Sequence, residues 1–110
     1  MPGSFEKREK GFEAKWAHDE ELRFKTYARR NKLLGLWAAA EMGIIGPAAD
    51  AYAKEVIATE FERAGDEDVF EKVQRDFAAR GVAISGHLIR RKMQEFLDVA
   101  KRQIEAEIAK

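Results

Sequence analysis

The sequence has no cysteine. That excludes a disulfide framework and any thiolate zinc site, and it fits a reducing compartment. Proline is almost missing as well, with Pro2 and Pro47 the two present, so little along the chain breaks a helix. There is no excess charge of either sign: 20 Lys and Arg stand against 20 Asp and Glu. The large basic excess on which nonspecific nucleic-acid affinity depends is therefore absent. No stretch approaches the roughly 18 uninterrupted apolar residues of a membrane span. The opening run, Met1-Pro2-Gly3-Ser4-Phe5-Glu6-Lys7-Arg8-Glu9-Lys10, lacks the apolar core of a secretory signal. A cytoplasmic protein without direct membrane insertion is expected.

Catalytic motifs are equally scarce. No GxxxxGKS phosphate loop occurs, and no GxGxxG follows a strand. The two serines, Ser4 and Ser85, have no base at motif spacing. His18 and His87 lie too far apart in sequence to suggest an imidazole-rich metal centre. Asp66-Glu67-Asp68 has the look of a calcium loop, but Phe70 occupies the next ligand position and the mid-loop glycine is missing. Neither an enzyme nor a metal or cofactor is expected.

What the chain does contain is 45% apolar and 36% charged residues in a length of 110. That supports one small domain burying about 60–70% of its unfolded surface. Between three glycine-containing interruptions (Gly43 with Gly46, Gly65, and Gly81 with Gly86) apolar residues recur at three- and four-residue steps, the helical period. The spacing predicts an all-α, four-helix bundle-like domain over 19–110, with helices at about 19–42, 47–64, 67–80 and 86–108.

Asp19 is placed to cap the first helix, with Glu20 and Glu21 in its first turn. Its later half, Leu33-Leu34-Gly35-Leu36-Trp37-Ala38-Ala39-Ala40, is apolar nearly all round and is expected to be enclosed. Gly35 within it points to close approach of another helix backbone, since glycine there costs about 1 kcal/mol of helix propensity. The second helix opens at Gly46-Pro47, aligns Tyr52, Val56 and Thr59 beside Ile57 and Phe61, and is expected to close at Gly65 in the left-handed cap role. The third carries Val69, Phe70, Val73 and Phe77. The fourth is capped by Ser85 and carries Ile89, Met93, Phe96, Ala100, Ile104 and Ile108 on one seam.

Residues 1–18 do not fit this pattern. Phe5, Phe12 and Trp16 are spaced by seven and four residues, one side of a helix, with Lys, Arg and Glu opposite. Gly11 and the shortage of aliphatic residues make that helix marginal in water. Two readings follow: an arm that folds when its aromatic anchors enter a partner's groove, or a segment that docks on its own domain. The charged runs Arg29-Arg30-Asn31-Lys32 and Arg90-Arg91-Lys92 read as solvated helix faces, the second paired with Glu95 and Asp98. His87 reads as a surface or cap residue.

The stretch from Phe12-Glu13-Ala14-Lys15-Trp16-Ala17-His18 through Asp19-Glu20-Glu21, then Ala28-Arg29-Arg30-Asn31-Lys32-Leu33-Leu34-Gly35-Leu36-Trp37, resembles the zeta subunit of bacterial F-type ATP synthases. The resemblance continues through Ala51-Tyr52-Ala53-Lys54-Glu55-Val56, Asp66-Glu67-Asp68-Val69-Phe70 and Ile89-Arg90-Arg91-Lys92-Met93. It implies a four-helix protein that inhibits ATP hydrolysis by the catalytic head, monomeric when free. It further implies that a mobile N-terminal arm, residues 1–18, enters an interface between alpha and beta subunits near the gamma stalk, at the cytoplasmic face of the membrane. Carried over by position, the arm's contact residues are Phe5, Lys7, Arg8, Glu9, Lys10, Phe12, Glu13, Lys15 and Trp16, with Arg29, Arg30 and Lys32 as a secondary contact. Two alternatives stand beside it. One is a helical nucleic-acid binder using Arg29, Arg30 and Lys32; the other is a sensor of adenine nucleotide using a pocket between helices near Trp37.

Overall fold

The computed structural model describes residues 11–62 and 65–109. They form a short helix α1 (11–18) and four longer ones, α2 (Glu20–Glu41), α3 (Pro47–Glu62), α4 (Asp66–Ala79) and α5 (Gly86–Ile108). No strand occurs among the described residues.

The helix ends follow from local chemistry. The Asp19 side chain accepts the Leu22 amide at 3.0 Å, and the Ser85 hydroxyl accepts that of Leu88 at 3.1 Å. Each such cap contributes about 1 kcal/mol by occupying an amide that has no partner within the helix. At the far end of α2 the Ile44 amide returns to the Ala39 carbonyl at 2.8 Å and the Gly43 amide to Ala40 at 3.1 Å. The Val82 and Gly81 amides bond Phe77 and Ala78 in the same way after α4. This closure needs a residue in the left-handed region, which Gly43 (φ 75°) and Gly81 (φ 68°) supply without a Cβ clash. Gly65 (φ 141°) is the N-cap residue of α4, and its expected role in closing α3 falls on residues 63–64, outside the described residues.

Helix α2 is the hub, packing against α3, α4 and α5, while α4 also meets α3 and α5. The core gathers Leu34, Ala38 and Ala39 of α2, Tyr52 and Val56 of α3, Val69, Phe70, Val73 and Phe77 of α4, and Ile89 and Met93 of α5. The rings of Trp37 and Phe77 meet edge-on at 5.6 Å. Gly35 has the role its position suggested: a Cβ there would lie 2.7 Å from the Ala53 Cα, so α2 and α3 approach to a distance only glycine permits.

Two expectations are corrected. The apolar half of α2 is not enclosed all round, since Ala40 is exposed and Leu33, Leu36 and Trp37 are half-buried. Arg30 and Asn31 do not belong to a solvated face; both are buried, as is Thr26. The register explains it, because Leu22, Thr26, Arg30, Leu34 and Ala38 follow at four-residue steps and form one buried stripe. On the α5 seam Ile89, Met93, Ala100 and Ile104 are buried, but Ile108 at the end is 48% exposed.

Candidate functional site: the docked N-terminal helix

Helix α1 sits outside the core cluster, at the edge formed by α2 and the second half of α5. Phe12 and Trp16, one helical turn apart, are both half-buried. The Trp16 ring lies 6.0 Å from that of Tyr27 on α2, and the Lys101 ammonium of α5 stands 4.1 Å from its centroid. Lys101, itself largely covered, also reaches the exposed Glu13 at 3.5 Å. Phe12 and Glu13 flank a hollow of about 250 Å³ with Asp98, Lys101, Arg102 and Glu105 of α5. The Arg23 guanidinium donates to the Trp16 carbonyl at 3.2 Å and to the Ala17 carbonyl, so α2 supplies the partners that the end of α1 lacks.

The attachment is thin. Trp16 Nε1 is buried without a hydrogen-bond partner among the described residues, which costs about 1–3 kcal/mol relative to a solvated indole. The Lys101 cation over the ring returns about 0.5–2 kcal/mol, and the partly exposed Lys101–Glu13 pair at most about 1 kcal/mol. Of the residues expected to make partner contacts, Phe12, Glu13, Lys15 and Trp16 lie on this helix, Lys15 exposed to solvent. Phe5, Lys7, Arg8, Glu9 and Lys10 lie outside the described residues. For 11–18, the arrangement is the second of the two readings of this segment: it docks on its own domain.

The secondary contact set is split by the fold. Arg29 is turned toward α5, donating to Gln103 at 2.8 Å and pairing with Glu107 at 2.8 Å. Lys32 is exposed. Arg30, whose side chain is only 1% exposed, donates to Asn31 and reaches Asp66 at 2.8 Å and Glu60 at 3.7 Å. Asn31 in turn donates to Glu60 at 2.8 Å. This polar cluster ties α2 to the C-terminal end of α3 and the start of α4, and it was hidden in a run that reads as a basic surface. The signal that could have found it is the four-residue step from Thr26 to Arg30 to Leu34. Burial pushes the Glu60 carboxyl above its ordinary value, partly offset by the Arg30 cation and the Asn31 hydrogen bond. Burial likewise raises the Tyr27 phenol, and Asp66 raises it further. The Tyr52 phenol, buried and donating to Asp76 at 2.8 Å, is also raised. With Arg30 occupied inside the fold, a three-cation contact for nucleic acid is not presented.

The surface charges at the other end pair locally. Arg90 meets Glu67 at 2.9 Å and covers the Phe70 ring, while Arg91 and Lys92 both reach Glu95. Asp98 accepts from Gln94. His87 is exposed.

A family model for the ATPase inhibitor subunit zeta matches residues 2–103. A solved structure, described as a solution NMR structure of a protein, superposes with a TM-score of 0.69 at 43% sequence identity, covering 78% of this chain and 98% of that one. No curated protein sequence matches the chain. The helical bundle, the capped α2 and the match along nearly its whole length agree, and the chain belongs to the ATPase inhibitor subunit zeta family.

Proposed function

We propose that this protein inhibits ATP hydrolysis by F-type ATP synthase by inserting its N-terminal segment between an alpha and a beta subunit of the catalytic head, near gamma. Membership of an inhibitor-subunit family supports a regulatory, non-catalytic role in association with that enzyme. The insertion route is our own reading, and it rests on α1: none of its residues belongs to the core cluster, yet it carries two half-buried aromatic rings on one side. An element held by so few contacts can exchange them for a partner's without unfolding the bundle.

In this mechanism the segment leaves α2 and α5 and re-forms as a helix in the partner's groove. Ordering it costs on the order of 2–5 kcal/mol. Full burial of Phe5, Phe12 and Trp16 offsets this at about 1.5–3 kcal/mol for each ring. Lys7, Arg8, Glu9, Lys10, Glu13 and Lys15 set register and encounter rate. A helix wedged at a catalytic interface blocks the opening and closing that each turnover requires. The bundle, from Asp19 onward, orients the arm. In this reading the protein acts at the cytoplasmic face of the membrane.

The test is ATP hydrolysis by the isolated catalytic head, titrated with the full chain, with a chain beginning at Asp19, and with Phe12→Ala/Trp16→Ala. The full chain should inhibit, and the other two should not while retaining the helical signal of the bundle. Inhibition by the shortened chain would place the inhibitory surface on the bundle instead.

A further inference from the structure

Among the described residues, one face of α2 between α3 and α5 stays partly open to solvent. There Phe24, Ala28 and Lys32 follow at four-residue steps, and Ala28 forms a low floor between taller neighbours. Ile57 of α3 and Ile104 and Ile108 of α5 complete the walls of a groove of about 580 Å³. Among the described residues, two of the three large apolar side chains that stand most exposed, Phe24 at 55% and Ile108 at 48%, line it. The groove continues along the α2–α3 seam, where Ile57 lies beside Ala53 and Lys54.

Its rim is positive at the end of Lys32 and Lys54, whereas Glu20 and Glu60 border Phe24, Ala28 and Ile57 at the other end. Lys25, Arg29, Lys32 and Lys54 border the groove and its continuation, against Glu107 and Asp50. Arg29 is neutralised by Glu107 at 2.8 Å, and Lys25 has Glu21 at 3.4 Å. Lys32 and Lys54 carry no ion pair among the described residues, and both are exposed beside half-buried Ile57. An apolar floor with two unneutralised cations at its edge suits an apolar stripe flanked by carboxylates. A second copy of this chain would bring the same cations against one another. The chain's own Phe5-Glu6-Lys7-Arg8-Glu9-Lys10 segment carries a cationic excess, and a nucleic-acid backbone has nothing to place on Phe24 or Ile108.

We infer that this groove is a docking site for an acidic amphipathic helix of a partner protein, its apolar residues seated over Ala28 against Phe24 and Ile57 and its carboxylates beside Lys32 and Lys54. The site is distinct from α1 and does not depend on how the N-terminal segment acts.

Two synthetic helix-forming peptides of the same length test it, sharing one stripe of leucines at helical spacing and differing only in Glu or Lys on its flanks. Each is titrated into the isotope-labelled full chain and followed by backbone amide shifts. The Glu peptide should move the amides of residues 24, 28, 57, 104 and 108, and the Lys peptide should bind at least about tenfold more weakly. Lys32→Glu/Lys54→Glu, which alters only exposed side chains, should reverse that preference. Ala28→Arg should weaken the Glu peptide at least about tenfold; if that variant does not fold, the charge reversal decides. Equal affinity for the two peptides, shifts centred elsewhere, or no binding of the Glu peptide overturns the inference. So does displacement of the same amides by self-association on raising the chain's concentration, or by phosphatidylglycerol vesicles as strongly as by the Glu peptide.

Discussion

Arg30 shows how one side chain can be assigned to the wrong environment by its neighbours in sequence. Preceded by Arg29 and followed, after Asn31, by Lys32, it has the context of a surface cation, yet it is 1% exposed and held by Asp66, Glu60 and Asn31. Removing one partner from such a cluster strands the rest, so Arg30→Ala should lower unfolding free energy by about 3 kcal/mol. Asp66→Asn, at a half-exposed carboxylate, should cost less than about 1 kcal/mol; urea unfolding of both variants checks the contrast. Glu60 adds a pH dependence. Its folded carboxyl is raised by burial, so its contribution to stability is complete below the ordinary glutamate value and is lost as pH rises through the folded one. The unfolding free energy of Glu60→Gln relative to the parent should therefore climb across that interval and level off above it. Gly35→Ala tests packing. The added methyl improves helix propensity by about 1 kcal/mol, but it meets the Ala53 backbone at 2.7 Å, and forcing that contact costs about 1–3 kcal/mol or more. A lowered urea midpoint with an unchanged slope is the expected result.

Among the elements, α1 and α2 differ in what holds them although they are adjacent in sequence. Helix α2 is buried along Leu22, Thr26, Arg30, Leu34 and Ala38. Helix α1 has two half-buried rings, an indole N–H with no hydrogen-bond partner among the described residues, and a capping guanidinium. The amides of residues 15–18 should consequently exchange with solvent by local opening, at least about 100-fold faster than those of Leu34 and Val56, which await global unfolding. Lys101→Ala removes both the cation over Trp16 and the Glu13 pair. It should accelerate exchange in α1 further while leaving the core amides unchanged. Equal protection across α1 and α2 would show that the two helices open together.

For the molecule as a whole, this difference makes α1 (11–18) easier to detach than α2. Because no residue of α1 enters the core cluster, a chain beginning at Asp19 should keep its cooperative thermal transition and lose no more than about 1–2 kcal/mol of stability, measured by calorimetry. The bundle was largely legible in the sequence because its signals are local: a carboxylate at Asp19, a hydroxyl at Ser85, glycines after two helices, and apolar residues returning every three or four positions. Gly35 was legible too, since glycine inside an apolar helical run has few uses besides close packing. The Arg30 cluster was not, because its meaning lies in Glu60 and Asp66 arriving from other helices. The groove over Ala28 was missed for a related reason, since its walls come from three separate helices.

By itself, then, the order of residues determined the helical class, the helix caps and the family likeness, all of which depend on spacing within a single segment and on the free energies of single turns. The tertiary structure alone decided which polar side chains are taken out of water, where Trp16 rests, and which strip of α2 stays open. Those outcomes depend on which helix faces meet, and a buried charge or an uncovered groove exists only once the neighbouring helices are in place.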